Sequence, residues 1–408
     1  MTEPAATSWV KGAAGSGHDV DHLPYAVFSV NEDQPRVGAR IGDQVVDLAP
    51  IAAADMLAGA EMFAQPTLGL LMSAGRTTWA STREWLRGLL TDPAERDLVE
   101  PHLVAITDVA LHEPFAVADY VDFYCSLDHA SNVGRIFRPD AEPLLPNWRH
   151  LPVGYHGRAG TVVISGTDVV RPCGQRKLAG STTPEYGPSQ RLDIEAELGI
   201  VVGAGSRLGE RVRTDEFAQH AFGVTLLNDW SARDIQAWEY VPLGPFLGKS
   251  FATSISPWVT PLAALEAARV SLPGQDPEPL AYLRTADPAG YDIDMAVSIN
   301  GTVVSHPPYA SMYWSPAQML AHLTANGASL RTGDLFASGT VSGPERHQRG
   351  SLLELSWGGT EPVALDGGGC RTFLEDGDVV TLSATAPGLL GGRLQLGDVT
   401  GRIVPARP

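Results

Sequence analysis

The sequence predicts a mainly β fold with some helix, divided into two domains. The chain has 408 residues, which exceeds one ordinary hydrophobic core and suits two domains. Hydrophobic residues make up 44 % and charged residues 19 % of the chain, the composition of a globular protein. The 43 glycines and 31 prolines interrupt the chain often, and continuous helical periodicity is scarce. This balance favours a turn-rich β architecture over a helical bundle.

The first part of the chain predicts a small accessory domain behind a loose tail. Residues 1–22 are small, polar and glycine-rich, which is typical of a flexible terminus. Short β-like runs follow at Tyr25 and Val45, and a helical stretch covers residues 78–90. Because reactive side chains rarely cluster here, we expect residues 23–118 to play a supporting role.

From residue 119 onward the density of His, Arg, Asp, Glu, Tyr and Trp rises, which predicts the main functional domain over 119–408. Residues 192–202 are predicted to form one strand. A Ser-x-x-Asp pattern predicts a short helix over 231–240. Residues 293–299 alternate in polarity and lead into Asn300-Gly301, the strongest short signal for a hairpin turn.

The overall charge and the cysteines exclude several classes of protein. A net charge of −18 gives no general attraction for nucleic acids or anionic membranes. The three cysteines, Cys125, Cys173 and Cys370, are too few and too scattered for a disulfide framework and suit a reducing compartment. No signal-peptide layout begins the sequence, and no stretch approaches the roughly 20 apolar residues of a membrane span. We therefore expect a cytoplasmic protein and no reactive thiol.

Three acidic side chains lie on one face of the strand predicted at residues 192–202. Alternation along a strand directs Asp193, Glu195 and Glu197 to the same side. Like charges beside a buried run need a counter-charge, and a hard cation such as Mg²⁺ or Ca²⁺ supplies one. The alternative is a solvated strand face, and this pattern alone does not decide between the two.

A second group of candidate residues surrounds the helix predicted over 231–240. Asp229 precedes the helix start, where a metal ligand is easily presented. Arg233, Gln236 and Tyr240 follow at helical spacings and share one face, so together they can bind a polarised oxygen. An ordinary amphipathic helix is the plainer reading of this pattern. Lys249 lies in a Gly-flanked segment without the glycine spacing of a phosphate loop, so we reject nucleotide binding.

A third group contains a candidate ligand, a candidate base and an anion-binding side chain. These are Asp122, His129 and Arg138, followed by Tyr155. Glu354 is the single carboxylate of an apolar segment that we predict to be a strand. A buried acid needs a partner, and a His–Glu pair is a common way to activate water. The sequence does not show whether His129 and Glu354 meet.

These stretches together resemble the fumarylacetoacetase family of hydrolases. The resemblance covers most of the chain from about residue 119 and is carried by specific motifs. They are Asp122-Phe-Tyr, His129-Ala-Ser-Asn-Val-Gly, Pro146-Asn-Trp, His150-Leu-Pro-Val-Gly-Tyr-His-Gly-Arg, the run over residues 227–251 that begins Leu227-Asn-Asp-Trp-Ser-Ala-Arg-Asp, Ala337-Ser-Gly-Thr and Leu352-Leu-Glu-Leu-Ser-Trp.

The resemblance implies a fold, a metal site and an assembly. It implies an SH3-like barrel over residues 23–118 and a catalytic β-roll domain over 119–408 that forms a homodimer. It implies a divalent cation, Mg²⁺ or Ca²⁺ with Mn²⁺ as a further candidate. The implied ligands are Asp122, Glu195, Glu197 and Asp229, with Lys249 and Thr253 in a region that can hold a second ion. Asp193 is then a structural carboxylate.

The resemblance also implies the reaction, which is hydrolysis of 4-fumarylacetoacetate to fumarate and acetoacetate at the end of tyrosine and phenylalanine degradation. It makes His129 the general base, oriented by Glu354. Arg233, Gln236 and Lys249 are the residues implied to stabilise the oxyanion. The implied substrate-binding residues are Tyr124, Arg138, Tyr155, Gln236, Tyr240 and Thr340.

Two alternatives remain beside this reading. One is a related hydrolysis, decarboxylation or isomerisation of another diketo or 2-oxo acid, which predicts loss of His129 and Glu354 or of the long loops. The other is a cation-binding protein without activity, which predicts that ligands survive while the base and substrate groups do not. The chain departs from the animal enzymes at Leu127-Asp128 and at Cys125, which leaves the pH dependence of the reaction open.

Overall fold

The computed structural model of the protein describes residues 7–177 and 180–407. The first part contains a five-stranded antiparallel sheet with the strand order β4-β3-β2-β1-β5. Its strands are β1 Tyr25–Val30, β2 Arg36–Ile41, β3 Gln44–Asp47, β4 Leu103–Ala105 and β5 Val109–His112. The helices between β3 and β4 are α1 Leu48–Ala54, α2 Gly69–Ser73, α3 Arg76–Thr91 and α4 Arg96–Val99.

Helix α3 confirms the helical stretch predicted at residues 78–90 and covers the core of this sheet. Thr82, Leu86, Leu89 and Leu90 are buried, and their spacing of three and four residues gives the helix one apolar face. This face shares a hydrophobic core with sheet residues that include Val37.

The expectation of a loose tail over residues 1–22 is wrong for residues 7–22; residues 1–6 lie outside the described part. Val10 and Val20 are buried in the first core. Trp9 Nε1 donates a hydrogen bond to the Leu89 carbonyl at 2.9 Å, and His22 bonds to Thr260 at 2.9 Å. Apolar side chains at wide intervals anchor this segment, although its composition is that of a tail.

The second part of the chain forms the larger β domain. Its strands are β6 Tyr120–Phe123, β7 Gly154–His156, β8 Val162–Ile164, β9 Val169–Val170, β10 Cys173–Arg176, β11 Glu185–Pro188, β12 Leu192–Asp193, β13 Ala196–Val202, β14 Ala221–Asp229, β15 Ser231–Ala232, β16 Thr253–Ile255, β17 Thr260–Pro261, β18 Arg269–Val270, β19 Gly290–Tyr291, β20 Asp294–Ile299, β21 Thr302–Ser305, β22 Leu335–Ala337, β23 Val363–Ala364, β24 Cys370–Arg371, β25 Val379–Pro387 and β26 Arg393–Val404. Its helices are α5 Leu127–Phe137, α6 Phe217–His220, α7 Arg233–Glu239, α8 Pro316–Leu323 and α9 Leu352–Leu355.

Two sheets of this domain enclose a common hydrophobic core. The larger sheet has the order β7-β6-β22-β13-β14-β16-β8, and the smaller has the order β21-β20-β25-β26-β9. Every residue of β13 and β14 is buried, whereas β25 alternates between buried and half-buried side chains. Leu198 of β13 and Leu382 of β25 belong to the same core. The fold class, mainly β with some helix in two domains, is therefore confirmed.

Three local predictions need correction. Residues 192–202 form two strands, β12 and β13, separated by Ile194 and Glu195. Ser231 lies in a strand, and the helix begins only at Arg233. Glu354 lies in helix α9 and not in a strand, because Ser351 caps that turn and accepts the Glu354 amide hydrogen bond at 3.3 Å.

The hairpin predicted at Asn300-Gly301 is confirmed between β20 and β21. Both residues have positive φ, 52° and 83°, as the favoured two-residue turn requires. In the part of the chain that the structure describes, no helix has the length and apolar character needed to cross a membrane.

Candidate active site

Four buried carboxylates converge at one end of the larger sheet. Asp122 lies near the end of β6, Glu195 immediately before β13, Glu197 at the start of β13, and Asp229 at the end of β14. One oxygen from each carboxylate lies within 4.8 Å of the others. The strands β6, β22, β13 and β14 are consecutive in the sheet, so the sheet brings together ligands that are far apart in the sequence.

The four carboxylates, called the acidic cluster below, fit a divalent cation. Oδ1 of Asp122 and Oε1 of Glu197 are buried and have no hydrogen-bond partner among the described residues. Burial and the neighbouring acid Asp229 raise the pKa of Asp122 well above its ordinary value, and burial with Asp122 does the same to the pKa of Glu197. Unpartnered oxygens that repel one another are a suitable ligand set for a hard cation.

Two buried, positively charged side chains offset the negative charge of Glu195 and Asp229, the other two members of the acidic cluster. Lys249 Nζ lies 2.7 Å from Asp229 Oδ2 and also contacts Glu195. Arg233 donates to Glu195 Oε1 at 2.7 Å. Burial favours a protonated Glu195, but Lys249 and Arg233 outweigh it and hold the pKa of Glu195 well below its ordinary value.

Asp193 lies outside the acidic cluster and plays a structural role. Its carboxylate binds Arg233 Nε at 2.7 Å. It also accepts the backbone N–H groups of Leu352 and Leu353 at 2.7 and 3.1 Å. Asp193 thereby connects the helix that carries Arg233 with the turn that carries Glu354.

Asp229 is surrounded by further hydrogen-bond donors from the predicted site. Thr253 Oγ1 donates to Asp229 Oδ1 at 3.0 Å, and Tyr155 donates to Asp229 Oδ2 at 3.1 Å. The structure therefore places Thr253, Lys249 and Tyr155 directly on this carboxylate. The presence of a second ion in the region of Lys249 and Thr253 stays a prediction.

His129 and Glu354, which lie 225 positions apart in the sequence, form a buried pair. His129 follows the helix cap Ser126, whose Oγ accepts the His129 amide hydrogen bond at 3.2 Å. His129 Nδ1 lies 2.7 Å from Glu354 Oε2, and Nε2 lies 3.8 Å from Glu195 Oε1. Burial alone raises the pKa of Glu354, but His129 and the surrounding donors outweigh it and lower that pKa. The imidazole thus lies between an ionised carboxylate and the acidic cluster.

Three residues that the sequence did not single out complete this pair. Asn132, Ser342 and Ser351 each donate a hydrogen bond to Glu354, at 2.9, 2.9 and 2.8 Å. Asn132 had a detectable signal, because it lies three residues after His129 on a helix and therefore on the same face. Ser351 is the cap of the turn that carries Glu354 and precedes it by three residues. Ser342 lies 12 residues before Glu354, and only the tertiary structure places it here.

A cavity of about 420 Å³ opens onto the acidic cluster. Its polar end contains Asp122, His129, Glu195, Arg233 and Lys249, and its walls include the predicted substrate residues Tyr124, Arg138, Tyr155, Gln236, Tyr240 and Thr340. The remaining wall is largely apolar and includes Val133, Phe137, Leu144, Trp148, Val153 and Leu243. A cavity with a charged end and an apolar wall suits a small molecule that is polar at its reacting part.

The polar wall residues are held in defined positions. Arg233 donates to Gln236 Oε1 at 3.1 Å, and Arg138 donates to the Pro143 carbonyl at 2.9 Å. Thr340 is buried and its hydroxyl has no partner in the described chain.

Burial raises the pKa of Cys125 well above its ordinary value, so this neighbouring thiol is a poor nucleophile at neutral pH.

The arrangement places a buried histidine–carboxylate pair, hydrogen-bond donors and a carboxylate set suited to a cation around one cavity. A histidine held by a carboxylate can remove a proton from water. Arg233 and Lys249 can stabilise an oxyanion that develops beside them. These parts together suit metal-assisted hydrolysis of a carbonyl compound.

Two family models match nearly the whole described chain. The model "Fumarylacetoacetate (FAA) hydrolase C-terminal" matches residues 119–404, and "Fumarylacetoacetase N-terminal" matches residues 21–114. The chain is 45 % identical to the fumarylacetoacetase of Homo sapiens over 417 residues, which cover 98 % of this chain and 99 % of that protein. The fumarylacetoacetase of Caenorhabditis elegans is 46 % identical, with coverage of 98 % and 99 %.

Solved structures with low sequence identity share the fold. A fumarylacetoacetate hydrolase from Exiguobacterium antarcticum matches with a TM-score of 0.55 at 17 % identity, covering 94 % of this chain and 100 % of that one. A maleylpyruvate hydrolase from Sphingobium matches with a TM-score of 0.52 at 17 % identity and the same coverage.

Proposed function

The chain belongs to the fumarylacetoacetate hydrolase family, and we propose that it hydrolyses 4-fumarylacetoacetate to fumarate and acetoacetate. This reaction places it at the last step of tyrosine and phenylalanine degradation. The observation that carries the proposal is the convergence of the acidic cluster and the His129–Glu354 pair in one cavity. The identity of 45 % to a fumarylacetoacetase over nearly the full chain supports the same substrate.

A divalent cation held by Asp122, Glu195, Glu197 and Asp229 would polarise the two oxygens of the diketone. The carboxylate-only donor set supports Mg²⁺ or Ca²⁺, with Mn²⁺ as a further candidate. The unpartnered oxygens of Asp122 and Glu197 are the structural support for such a cation.

His129 acts as the general base in this proposal. Its Nδ1 is bonded to Glu354, so Nε2 provides the lone pair that removes a proton from water. The resulting hydroxide adds to the carbonyl next to the fumaroyl double bond. The ionised Glu354 then stabilises the protonated imidazole.

The oxyanion and the leaving group are stabilised by buried donors. Arg233, Gln236 and Lys249 supply N–H groups beside the acidic cluster, where a negative oxygen develops. Collapse of the adduct breaks the carbon–carbon bond and releases fumarate. The electron pair of that bond leaves with acetoacetate as an enolate, which takes up a proton, so one water is consumed.

Substrate binding combines charge pairing with shape. Arg138 lines the cavity wall, and its guanidinium would pair with a substrate carboxylate. Tyr124, Tyr155, Tyr240 and Thr340 contribute hydroxyl groups along the same wall. The apolar side around Phe137 and Leu144 covers the carbon chain between the polar ends.

Direct assay of the purified protein tests the proposed function. The protein is incubated with fumarylacetoacetate after chelator treatment and after addition of Mg²⁺, Ca²⁺ or Mn²⁺. We expect loss of the substrate absorbance only when a cation is present. Absence of turnover under every metal condition would contradict the proposal, and related diketo and 2-oxo acids assayed in parallel test the alternative substrates.

We also propose that the protein is a homodimer. Several large apolar side chains are exposed on one segment near the cavity mouth: Val241 at 66 %, Leu243 at 96 % and Phe246 at 66 %. Burial in a subunit interface would remove this surface from water. Light scattering on the purified protein should give twice the chain mass, and a monomer at micromolar concentration would contradict the proposal.

A cytoplasmic location is the last part of the proposal. Cys125, Cys173 and Cys370 are free in the structure. Free thiols without disulfides are typical of proteins from a reducing compartment. Fractionation of the source cells, with detection of the protein in the soluble fraction, tests this location.

A further inference from the structure

Glu354 accepts four hydrogen bonds on its two carboxylate oxygens. Oε2 accepts from His129 Nδ1 at 2.7 Å, Ser342 Oγ at 2.9 Å and Ser351 Oγ at 2.8 Å. Oε1 accepts from Asn132 Nδ2 at 2.9 Å. All of these side chains are buried, so water does not compete for the carboxylate.

The direction of each serine hydrogen bond follows from the backbone. Ser342 Oγ already accepts the Gly350 N–H at 3.0 Å, and Ser351 Oγ accepts the Glu354 N–H at 3.3 Å. Each hydroxyl proton is therefore available for Glu354. The side-chain amide nitrogen of Asn132 can also only donate. Asn132, Ser342 and Ser351 are therefore three fixed donors that face the carboxylate of Glu354 and keep it ionised.

An ionised Glu354 determines which nitrogen of His129 carries the proton. The carboxylate can only accept, so Nδ1 must donate to it. In the neutral imidazole, Nε2 is then the unprotonated nitrogen. Nε2 points towards Glu195, 3.8 Å from its Oε1, on the side of the cavity.

We propose that Asn132, assisted by Ser342 and Ser351, is a positioning residue that holds His129 in the Nδ1–H tautomer. Asn132 and His129 are three residues apart on α5, so one helix face binds both oxygens of Glu354. Ser342 and Ser351 hold the same carboxylate from the chain segment that carries Glu354 itself. The catalytic consequence of this inference rests on the proposed function, because it assumes that Nε2 is the base.

A double-mutant cycle tests whether Asn132 acts through Glu354. Asn132→Leu has nearly the same shape but donates no hydrogen bond. We expect kcat to fall by about 10- to 100-fold, with KM within about twofold of the wild type. In a Glu354→Gln background the same change should lower kcat by less than about twofold, because the carboxylate it orients is gone.

Two outcomes would overturn the proposal. One is a wild-type kcat for Asn132→Leu. The other is an equal loss in both backgrounds, which indicates a general packing role. Ser342→Ala provides a second route if Asn132→Leu does not fold. It removes one donor from Glu354 Oε2, so we expect kcat to fall in the wild-type background and to change little in the Glu354→Gln background.

A spectroscopic readout separates this inference from the proposed function. Two-bond ¹H–¹⁵N correlation on metal-free protein labelled with ¹⁵N-histidine reports the tautomer, with His129→Gln used for assignment. We expect the Nδ1–H tautomer in the wild type and a mixture in Asn132→Leu. The same tautomer in both proteins would refute the positioning role, whatever substrate the enzyme uses.

Discussion

Lys249 and Asp229 form a buried ion pair, with Nζ 2.7 Å from Oδ2, at the edge of the acidic cluster. Burial favours a neutral lysine, but Asp229 and Glu195 outweigh it and raise the pKa of Lys249 above its ordinary value. Lys249 is therefore a permanent positive charge among carboxylates that repel one another.

Replacement of that charge should destabilise the metal-free protein more than the metal-bound protein. For Lys249→Met we expect a loss of about 3–5 kcal/mol in the free energy of unfolding without metal. The loss should shrink when Ca²⁺ is bound, because the cation replaces the missing positive charge. Urea unfolding of both forms measures the difference. Lys249→Arg is the control that retains the charge, and an equal loss with and without Ca²⁺ would contradict this account.

Glu197→Gln should have opposite effects on stability and on metal binding. Its Oε1 has no partner among the described residues, and the neighbouring Asp122 repels its charge. Removal of that charge should stabilise the metal-free protein, while cation affinity falls by at least about 10-fold. Thermal unfolding and calorimetric titration with Mn²⁺ or Ca²⁺ measure the two effects.

Asp193→Asn is the matched control for Glu197→Gln. Asp193 is equally buried, but it is paired with Arg233 at 2.7 Å. Its replacement should destabilise the metal-free protein, since the buried Arg233 loses one of its two carboxylate partners. If both variants shift stability in the same direction, repulsion within the acidic cluster is not the cause.

His129→Ala should separate catalysis from metal binding. Loss of a general base lowers turnover by about 10²- to 10⁴-fold. His129 does not belong to the acidic cluster, so cation affinity should stay within a few-fold of the wild type. Steady-state kinetics and calorimetry on one preparation provide both numbers. Full activity of this variant would exclude His129 as the base.

The buried pair His18 and His22 predicts a loss of stability in acid. The rings stack at 5.2 Å, and burial lowers the pKa of His22 from 6.5 to about 3 and that of His18 from 6.5 to about 2. The unfolded chain binds protons first, so stability is complete above pH 6.5 and falls as the pH drops towards 3.

Each proton taken up contributes about 1.4 kcal/mol per pH unit to this slope. His22→Gln should therefore reduce the pH dependence of unfolding by that amount between pH 6 and pH 4. The exposed His306 provides the control His306→Gln, which should leave the slope unchanged. Urea unfolding at a series of pH values measures all three proteins, and identical slopes would contradict the prediction.

Gly134 and Gly88 form a matched pair of helical glycines with opposite surroundings. A Cβ on Gly134 would lie 2.0 Å from the Pro143 carbonyl oxygen, whereas a Cβ on Gly88 would meet nothing within 4 Å. Gly134→Ala should cost about 1–3 kcal/mol and raise KM, because Pro143 also holds Arg138. Gly88→Ala should stabilise the protein by about 0.4–1 kcal/mol. Equal effects of the two changes would show that α5 is not packed as described.

Much of the fold was readable in the sequence because its signals are local. Helix α3 follows from apolar spacing, and the turn at Asn300-Gly301 follows from two residues that tolerate positive φ. One prediction failed where distant contacts overrode local character, and another where a local helix cap was overlooked. The segment at residues 7–22 has the composition of a tail but packs through Val10 and Val20. Glu354 sits in an apolar stretch that reads as a strand, yet a serine cap turns it into a helix.

The sequence by itself determined the reactive groups and the family they resemble, because motifs such as Leu227-Asn-Asp-Trp-Ser-Ala-Arg-Asp are contiguous. It could not decide whether Glu195 and Glu197 face solvent or a cation, since that depends on Asp122 and Asp229, which reach the site through the order of the strands. Only the tertiary structure assigned Asp193 to Arg233 and brought Asn132 and Ser342 to Glu354. Hydrogen bonds between distant segments depend on packing, and packing leaves no local pattern in the chain.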